Sequence, residues 1–286
     1  MQNDSILRIN QAINYIYYNL DKSLTVEEIA AHCSFSKYYF NRVFRAVVNT
    51  SIYAFIKRVR LESAAFRLRT DQRKSITDIA LEIGYTPSNF AVAFKDYFGI
   101  SASEFRKQHT PLNDSYRFVI EYINDLKKRD DCFDAINSKI TIKRLPAMNL
   151  EYERYIGNYR KGLVNAWDKF CMEMERKYTL VQPTRMVGIS YDDPLISDDD
   201  RCVYDMCLQV NKITGINVHK IDAGLYACYE FHDQLDKLVT AFSEIFALWM
   251  PYTNYNLDHR LCLELYQSGL DASGNIHLEI CIPILS

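Results

Sequence analysis

No apolar run in this chain reaches the roughly 18 residues that a membrane-spanning helix requires. The opening "MQNDSILRINQ" also lacks the charged-then-apolar order of a secretory signal. A cytoplasmic protein with no membrane partner is therefore expected. The 8 cysteines include no Cys-x-x-Cys pair and form no Cys/His cluster at zinc spacing. The nearest pair, Cys202 and Cys207, sits in apolar surroundings, so reduced and mostly buried thiols are expected, with no metal site. The 6 histidines are scattered, and Gly-x-Ser-x-Gly, His-Glu-x-x-His, P-loop and dinucleotide fingerprints are all missing. No catalytic residue and no cofactor is nominated.

Net charge is nearly absent when the chain is taken whole, since 34 Lys+Arg stand against 36 Asp+Glu and leave −2. Residues 1–110 carry 15 Lys+Arg against 10 Asp+Glu, and the remainder carries 19 against 26. A basic front and an acidic back point to different partners, a polyanion for one and a neutral or cationic ligand for the other.

The front contains one pattern twice. "VEEIAAHCSFSKYYFNRVFRAVVNTS" (26–51) and "ITDIALEIGYTPSNFAVAFKDYFGIS" (76–101) align without a gap, 50 residues apart. Ile29 answers Ile79, Ala30 answers Ala80, Phe40 answers Phe90, Phe44 answers Phe94 and Ser51 answers Ser101. Thr25 with Glu28 forms a capping-box pattern before the first short helix, and Ser75 with Asp78 repeats the arrangement. Ser36 and Thr86, the latter followed by Pro87, are expected to cap the longer second helices. Short helix, tight turn and longer helix is the helix-turn-helix layout, in which the second helix enters the major groove. A plain helical bundle is the alternative, and the gapless register of caps, turns and phenylalanines argues against it.

With Phe40, Val43, Phe44 and Val47 inward, the first recognition helix turns Lys37, Tyr38, Asn41, Arg42 and Arg45 outward. These are cations for phosphates or guanine and an amide for adenine. In the second copy Phe90, Ala93, Phe94 and Tyr97 are expected inward, leaving Ser88, Asn89, Ala91, Val92 and Lys95 to face DNA. Between the copies, residues 51–70 read as one helix. Its length of roughly 28 Å compares with about 34 Å between successive major-groove faces. One chain could then read two adjacent major grooves of double-stranded DNA without dimerising.

Residues 109–138 read as an interdomain connection, with "TPLNDS" turn-like, one short amphipathic helix, and a solvated charge run at 127–131. From Lys139 the period changes to that of strands. An opening pair of strands, a helix at 163–178 and two further strands are echoed about 76 residues later. The expectation is an α+β domain of two similar halves, each an antiparallel sheet with one helix packed on it. The seam between such halves is a natural place for a small molecule. Glu264, in "CLELYQ", alternates with Leu263 and Leu265 and shares a face with Cys262 and Tyr266. Among aromatic rings it could hold an organic cation, and on an open sheet face it would be a solvated carboxylate.

The residues from Ile6 to Arg106 resemble the DNA-binding domain of the AraC/XylS family of transcription regulators. The resemblance rests on Ile79-Ala80, Gly84-Tyr85, Phe90, Phe94-Lys95, Phe98-Gly99, Ser101 and Phe105-Arg106, with Phe40, Arg42 and Phe44 in the first copy. Two positions depart from the family pattern. Val92 stands where arginine is common, and Ala102 where proline is usual.

Residues 139–286 resemble a GyrI-like small-molecule-binding domain through "AWDKF" (166–170), "VGISYDDP" (187–194), Tyr204-Asp205 and "LELY" (263–266). The resemblance implies Glu264 and Tyr266 as ligand-binding residues, followed by Trp167 and Tyr191, then Trp249 and Tyr229. The whole is then a multi-domain chain. An all-α double helix-turn-helix domain (1–108) precedes the connection (109–138) and the duplicated GyrI-like domain (139–286), as in Rob-like regulators. The implied function is a ligand-responsive transcription regulator, an activator by family habit. Its partners would be DNA, a hydrophobic or cationic small molecule, and RNA polymerase. A hydrolase of small electrophiles, or a partner-binding domain riding on a DNA-binding module, are the alternatives.

Overall fold

A computed structural model describes residues 2–107, 114–178 and 185–285. The chain divides into two compact units, Met1–His109 and Thr110–Ser286. No helix among the described residues is long and apolar enough to cross a membrane.

The first unit is helical: α1 (Gln2–Tyr18), α2 (Val26–His32), α3 (Lys37–Val48), α4 (Ile52–Thr70), α5 (Ile76–Glu82), α6 (Pro87–Phe98) and α7 (Ala102–Lys107). The bounds of α2 and α3 recur 50 residues later as those of α5 and α6, because the signals that set them recur. Thr25 and Glu28 form the reciprocal capping box, and Ser75 accepts from the Asp78 amide. Thr86 caps α6 through the Asn89 amide. Ser36 occupies the same place before α3, but its side chain makes no capping bond. The turns match as well. Ser34 (φ 58°) and Gly84 (φ 76°) open them, and Asn49 (φ 55°) and Gly99 (φ 76°) end the recognition helices, all left-handed. Phe40, Phe44, Phe90 and Phe94 are buried to 1% or less. Tyr97 departs from its expected inward position. It remains 39% exposed, and its hydroxyl reaches across to donate to Glu62 Oε1 at 2.8 Å.

The second unit begins with α8 (Arg117–Leu126) and α9 (Cys132–Asn137). Part of the turn expected at "TPLNDS" falls outside the described residues. One helix was expected in this stretch, and two form because residues 127–131 bend away between them. There Lys128 pairs with Asp125 and Arg129 with Asp131, all in solvent. Then follow β1 (Ile140–Leu145), β2 (Met148–Ile156), α10 (Leu163–Lys177), β3 (Met186–Ser190), β4 (Val203–Gln209), β5 (Val218–Ile221) and β6 (Gly224–Gln234). The chain closes with α11 (Leu238–Glu244), a π-helical turn at Ile245–Trp249, β7 (Asn256–Leu257), β8 (Leu263–Tyr266) and β9 (Asn275–Leu285).

The two halves do not form separate sheets. All strands join one antiparallel sheet in the order β1-β6-β9-β8-β3-β4-β2-β5, with β7 beside β9. The junction is the β3–β8 ladder, where Gly188 faces Glu264 and Val187 faces Leu265. Strand alternation sorts the side chains into two sets. Tyr204, Met206 and Leu208 join Phe170 and Met174 of α10 in one cluster. Leu150, Tyr152, Val187, Ile189, Cys207, Leu263 and Leu265 pack on the other face.

Candidate functional site

In the helical unit all ten outward residues named from the sequence lie on the surface of α3 or α6. Nine are exposed, and Asn41 is half-buried, its amide donating to the Lys37 carbonyl at 3.1 Å. Tyr38 is 86% exposed, the most open aromatic on α3. Arg42 lies over the Tyr39 ring at 5.2 Å, which steadies the guanidinium while leaving its donors outward. Lys37 pairs with Glu27 of α2. That hydrogen bond lowers the Glu27 carboxyl from its ordinary range and raises Lys37. The α6 surface offers Lys95 as its basic side chain and an apolar Val92 that is 63% exposed.

In the sheet unit β8 carries Glu264, which is only 2% exposed. Its Oε2 accepts from the Tyr204 hydroxyl at 2.6 Å and from the Tyr266 hydroxyl at 3.1 Å. The two hydroxyls are 3.0 Å apart, and Ser190 adds a further hydrogen bond. Trp167 of α10 covers this group, with ring centroids 5.0 Å from Tyr266 and 6.2 Å from Tyr204. Tyr159 meets Tyr204 edge-on at 5.7 Å, and its own hydroxyl donates to the Val203 carbonyl at 2.6 Å. Burial pushes the Glu264 carboxyl up from its ordinary 4.5, against the pull of the three hydroxyl donors. Burial likewise pushes both tyrosines well above their ordinary value, and the Glu264 charge adds to it.

The structure brings Glu264, Tyr266 and Trp167 together and places the other three candidates elsewhere. Tyr191 packs on the opposite sheet face, against the cluster of Tyr152, Val187 and Ile189. Its hydroxyl donates to Asp205 Oδ2 at 3.0 Å. Asp205 also receives Arg154 through Nε at 2.7 Å and Nη2 at 2.6 Å, and His219 Nε2 lies 2.7 Å away. Burial works to raise the Asp205 carboxyl, but the Arg154 charge and the hydrogen bonds outweigh it and hold it low. Tyr229 of β6 donates to Glu244 Oε2 at 2.7 Å, beside Tyr122 of α8, which donates to Oε1 at 2.9 Å. Trp249 donates to Asn137 Oδ1 at 2.9 Å.

The sequence reading did not nominate Tyr204, Gly188 or Tyr159. The first two carried a signal. Alternation along "VYDMCLQ" sets Tyr204 on the face of Met206 and Leu208, and a glycine inside the strand "MVGIS" marks a close approach.

Among the described residues Glu264 differs from the other buried carboxylates in its partners. Glu62 pairs with Arg58, Glu151 with Lys177, Asp205 with Arg154, and Glu244 lies 3.8 Å from Lys139. Glu264 has hydroxyl donors but no cationic partner among the described residues. A buried carboxylate that ionises without a countercharge is costly.

Residues 138–285 match the GyrI-like small molecule binding domain, and residues 29–108 match a helix-turn-helix domain. The HTH-type transcriptional activator AarP of Providencia stuartii is 36% identical over 107 residues, which is 37% of this chain and 78% of that protein. The regulatory protein SoxS of Escherichia coli K12 is 33% identical over 99 residues, 34% of this chain and 92% of its own. Among solved structures, the C-terminal domain of EcmrR aligns with 51% of this chain and 97% of its own at 18% identity, with a TM-score of 0.42. The chain belongs to the AraC-type helix-turn-helix regulators and carries a GyrI-like small-molecule-binding domain.

Proposed function

We propose that this regulator senses a lipophilic organic cation at Glu264 and activates transcription from promoters that its helical unit reads. The observation that carries the ligand class is the buried Glu264 carboxylate. Aromatic rings surround it and no cationic side chain answers it among the described residues. Tyr204 and Tyr266 hold the carboxylate in place, and Trp167 and Tyr266, both half-buried, offer ring faces for cation–π attraction. Trp249, Tyr229 and Tyr191 fall outside this reading, since their hydrogen bonds go to other groups.

On DNA, α3 carries the larger share of recognition through Lys37, Tyr38, Asn41, Arg42 and Arg45. On α6, Ser88, Asn89, Ala91, Val92 and Lys95 give a weaker, partly apolar contact in the neighbouring groove. Ligand acts by favouring one conformation over another, and RNA polymerase is the partner that reads the result. A hydrolase reading would use the same Glu264–tyrosine group on a small electrophile.

The test is a titration of the full chain with a panel of lipophilic cations and neutral aromatics, followed by tryptophan fluorescence, with Glu264→Gln beside wild type. Saturable binding of cations that the variant loses supports the proposal. Binding indifferent to the substitution, or none, contradicts the cation site. Disappearance of the compound with time supports the hydrolase.

A further inference from the structure

The two helix-turn-helix modules meet at a junction that neither recognition surface includes. Helix α4 packs on both modules, and Arg60 lies within it. Its Nη2 donates to the carbonyl of Lys22, in the connection that leads into the first module. The same guanidinium lies over the ring of Tyr85, 5.8 Å from its centroid, in the turn of the second module.

The backbone closes on the same point. A Cβ placed on Gly84 would sit 2.8 Å from the Leu20 carbonyl oxygen and 3.0 Å from Arg60 Nη2. Gly84 also holds φ at +76°, so glycine serves both the left-handed turn and the close approach. The turn of the second module thus abuts the chain that enters the first, with one planar cation wedged between them. A guanidinium can hydrogen-bond in its plane and stack by its face at once, and an ammonium cannot.

We propose that Arg60 is a positioning residue that fixes the spacing and orientation of the two recognition helices, so that one chain reads two half-sites as a unit. This rests on the DNA-binding reading above. Two modules on a rigid connection gain affinity because the second binding event becomes intramolecular, at an effective concentration set by geometry. A loosened junction loses that gain while each module keeps its own contacts.

Duplexes are first selected from a random pool with the wild-type full chain. Wild type, Arg60→Met and Arg60→Lys are then compared on the selected duplex, on the same duplex with one half-site scrambled, and on one with the half-sites moved apart by one base pair. Arg60→Met keeps the aliphatic stem. It is expected to lose roughly tenfold on the intact duplex and to match wild type on the single half-site. It should also discriminate less against the altered spacing. Arg60→Lys should behave as Arg60→Met does.

Equal losses on intact and single-site duplexes, full rescue by lysine, or no loss would each overturn the proposal. Lysine rescue would indicate a simple phosphate contact. Should Arg60→Met fail to fold by circular dichroism, Tyr85→Leu removes the other side of the wedge and is held to the same outcomes. A wild-type selection that yields no bipartite sequence would instead overturn the DNA-binding reading beneath.

Discussion

Gly188 and Glu264 face each other across the β3–β8 ladder, and they occupy the same place in the two halves of the domain, 76 positions apart. The duplication sets a carboxylate on one side of the seam and an absent side chain on the other. A Cβ on Gly188 would lie 1.8 Å from the Tyr204 hydroxyl and 2.8 Å from Glu264 Oε2. The void that glycine leaves is where the tyrosine reaches the carboxylate. Gly188→Ala is therefore expected to displace Tyr204 and abolish cation binding, with overpacking that costs about 1–3 kcal/mol in urea unfolding. A variant that binds cations as wild type does would show that the Tyr204–Glu264 contact is dispensable.

Cation binding should depend on pH through Glu264. Burial raises its folded pKa above the ordinary 4.5. Its contribution to stability is therefore present below the unfolded value and is lost as pH rises through the folded one. Above that point the ligand-free protein holds an uncompensated carboxylate, which a bound cation relieves. Affinity for a permanently charged cation should thus climb as pH rises from the ordinary carboxylate range through the raised folded value, and Glu264→Gln should flatten the profile. Isothermal titration across that range reads both.

The Arg154–Asp205–His219–Tyr191 group should behave as structure. Tyr191→Phe removes one hydrogen bond to Asp205 and should lower stability by about 1 kcal/mol, with cation affinity unchanged. Asp205→Asn strands the buried Arg154 charge and should cost about 3–5 kcal/mol. Denaturant unfolding beside a ligand titration separates the two effects.

Lys37 is paired with Glu27 on the exposed surface of the first module. Glu27→Gln should release the lysine, raise affinity for arbitrary duplex DNA severalfold at low salt, and steepen the slope of log K against log salt by about one phosphate contact. Fluorescence anisotropy over a salt series measures it. An unchanged slope would mean that Lys37 already reaches DNA despite the pair.

The two recognition helices should differ in weight. Arg42→Ala or Asn41→Ala should cost about 1–3 kcal/mol on a selected duplex and relax preference at one position. Val92→Ala, lacking a polar contact to lose, should change affinity by less than about 1 kcal/mol. Equal losses from both helices would contradict the unequal reading of α3 and α6.

The helical unit was legible because its signals are local. Caps at Thr25 and Ser75, turns at Gly84 and Gly99, and phenylalanines at helical spacing each fix a few neighbouring residues, and repetition doubled each signal. Tyr97 escaped this logic, because its hydroxyl serves Glu62 on another helix, 35 residues away in sequence. In the sheet unit, alternation set Glu264 and Tyr266 on one face, and the LELY resemblance pointed to the same pair. It could not say that Tyr204 would reach Glu264 from 60 residues earlier, because that depends on register and on the space at Gly188. The resemblance of its segment nominates Tyr191 beside Glu264 and Tyr266. Its position in the alternation puts it with Val187 and Ile189, on the face that holds Asp205.

The most direct measurement is transcription in vitro from a selected duplex placed upstream of a promoter, with purified full chain and RNA polymerase. It is run with and without a lipophilic cation, for wild type and Glu264→Gln. A sensor working through Glu264 predicts a ligand-dependent rise in transcript with wild type that the variant loses, while the variant still binds the duplex. A rise that persists in Glu264→Gln, or transcript that never responds to a cation bound at that site, would contradict it.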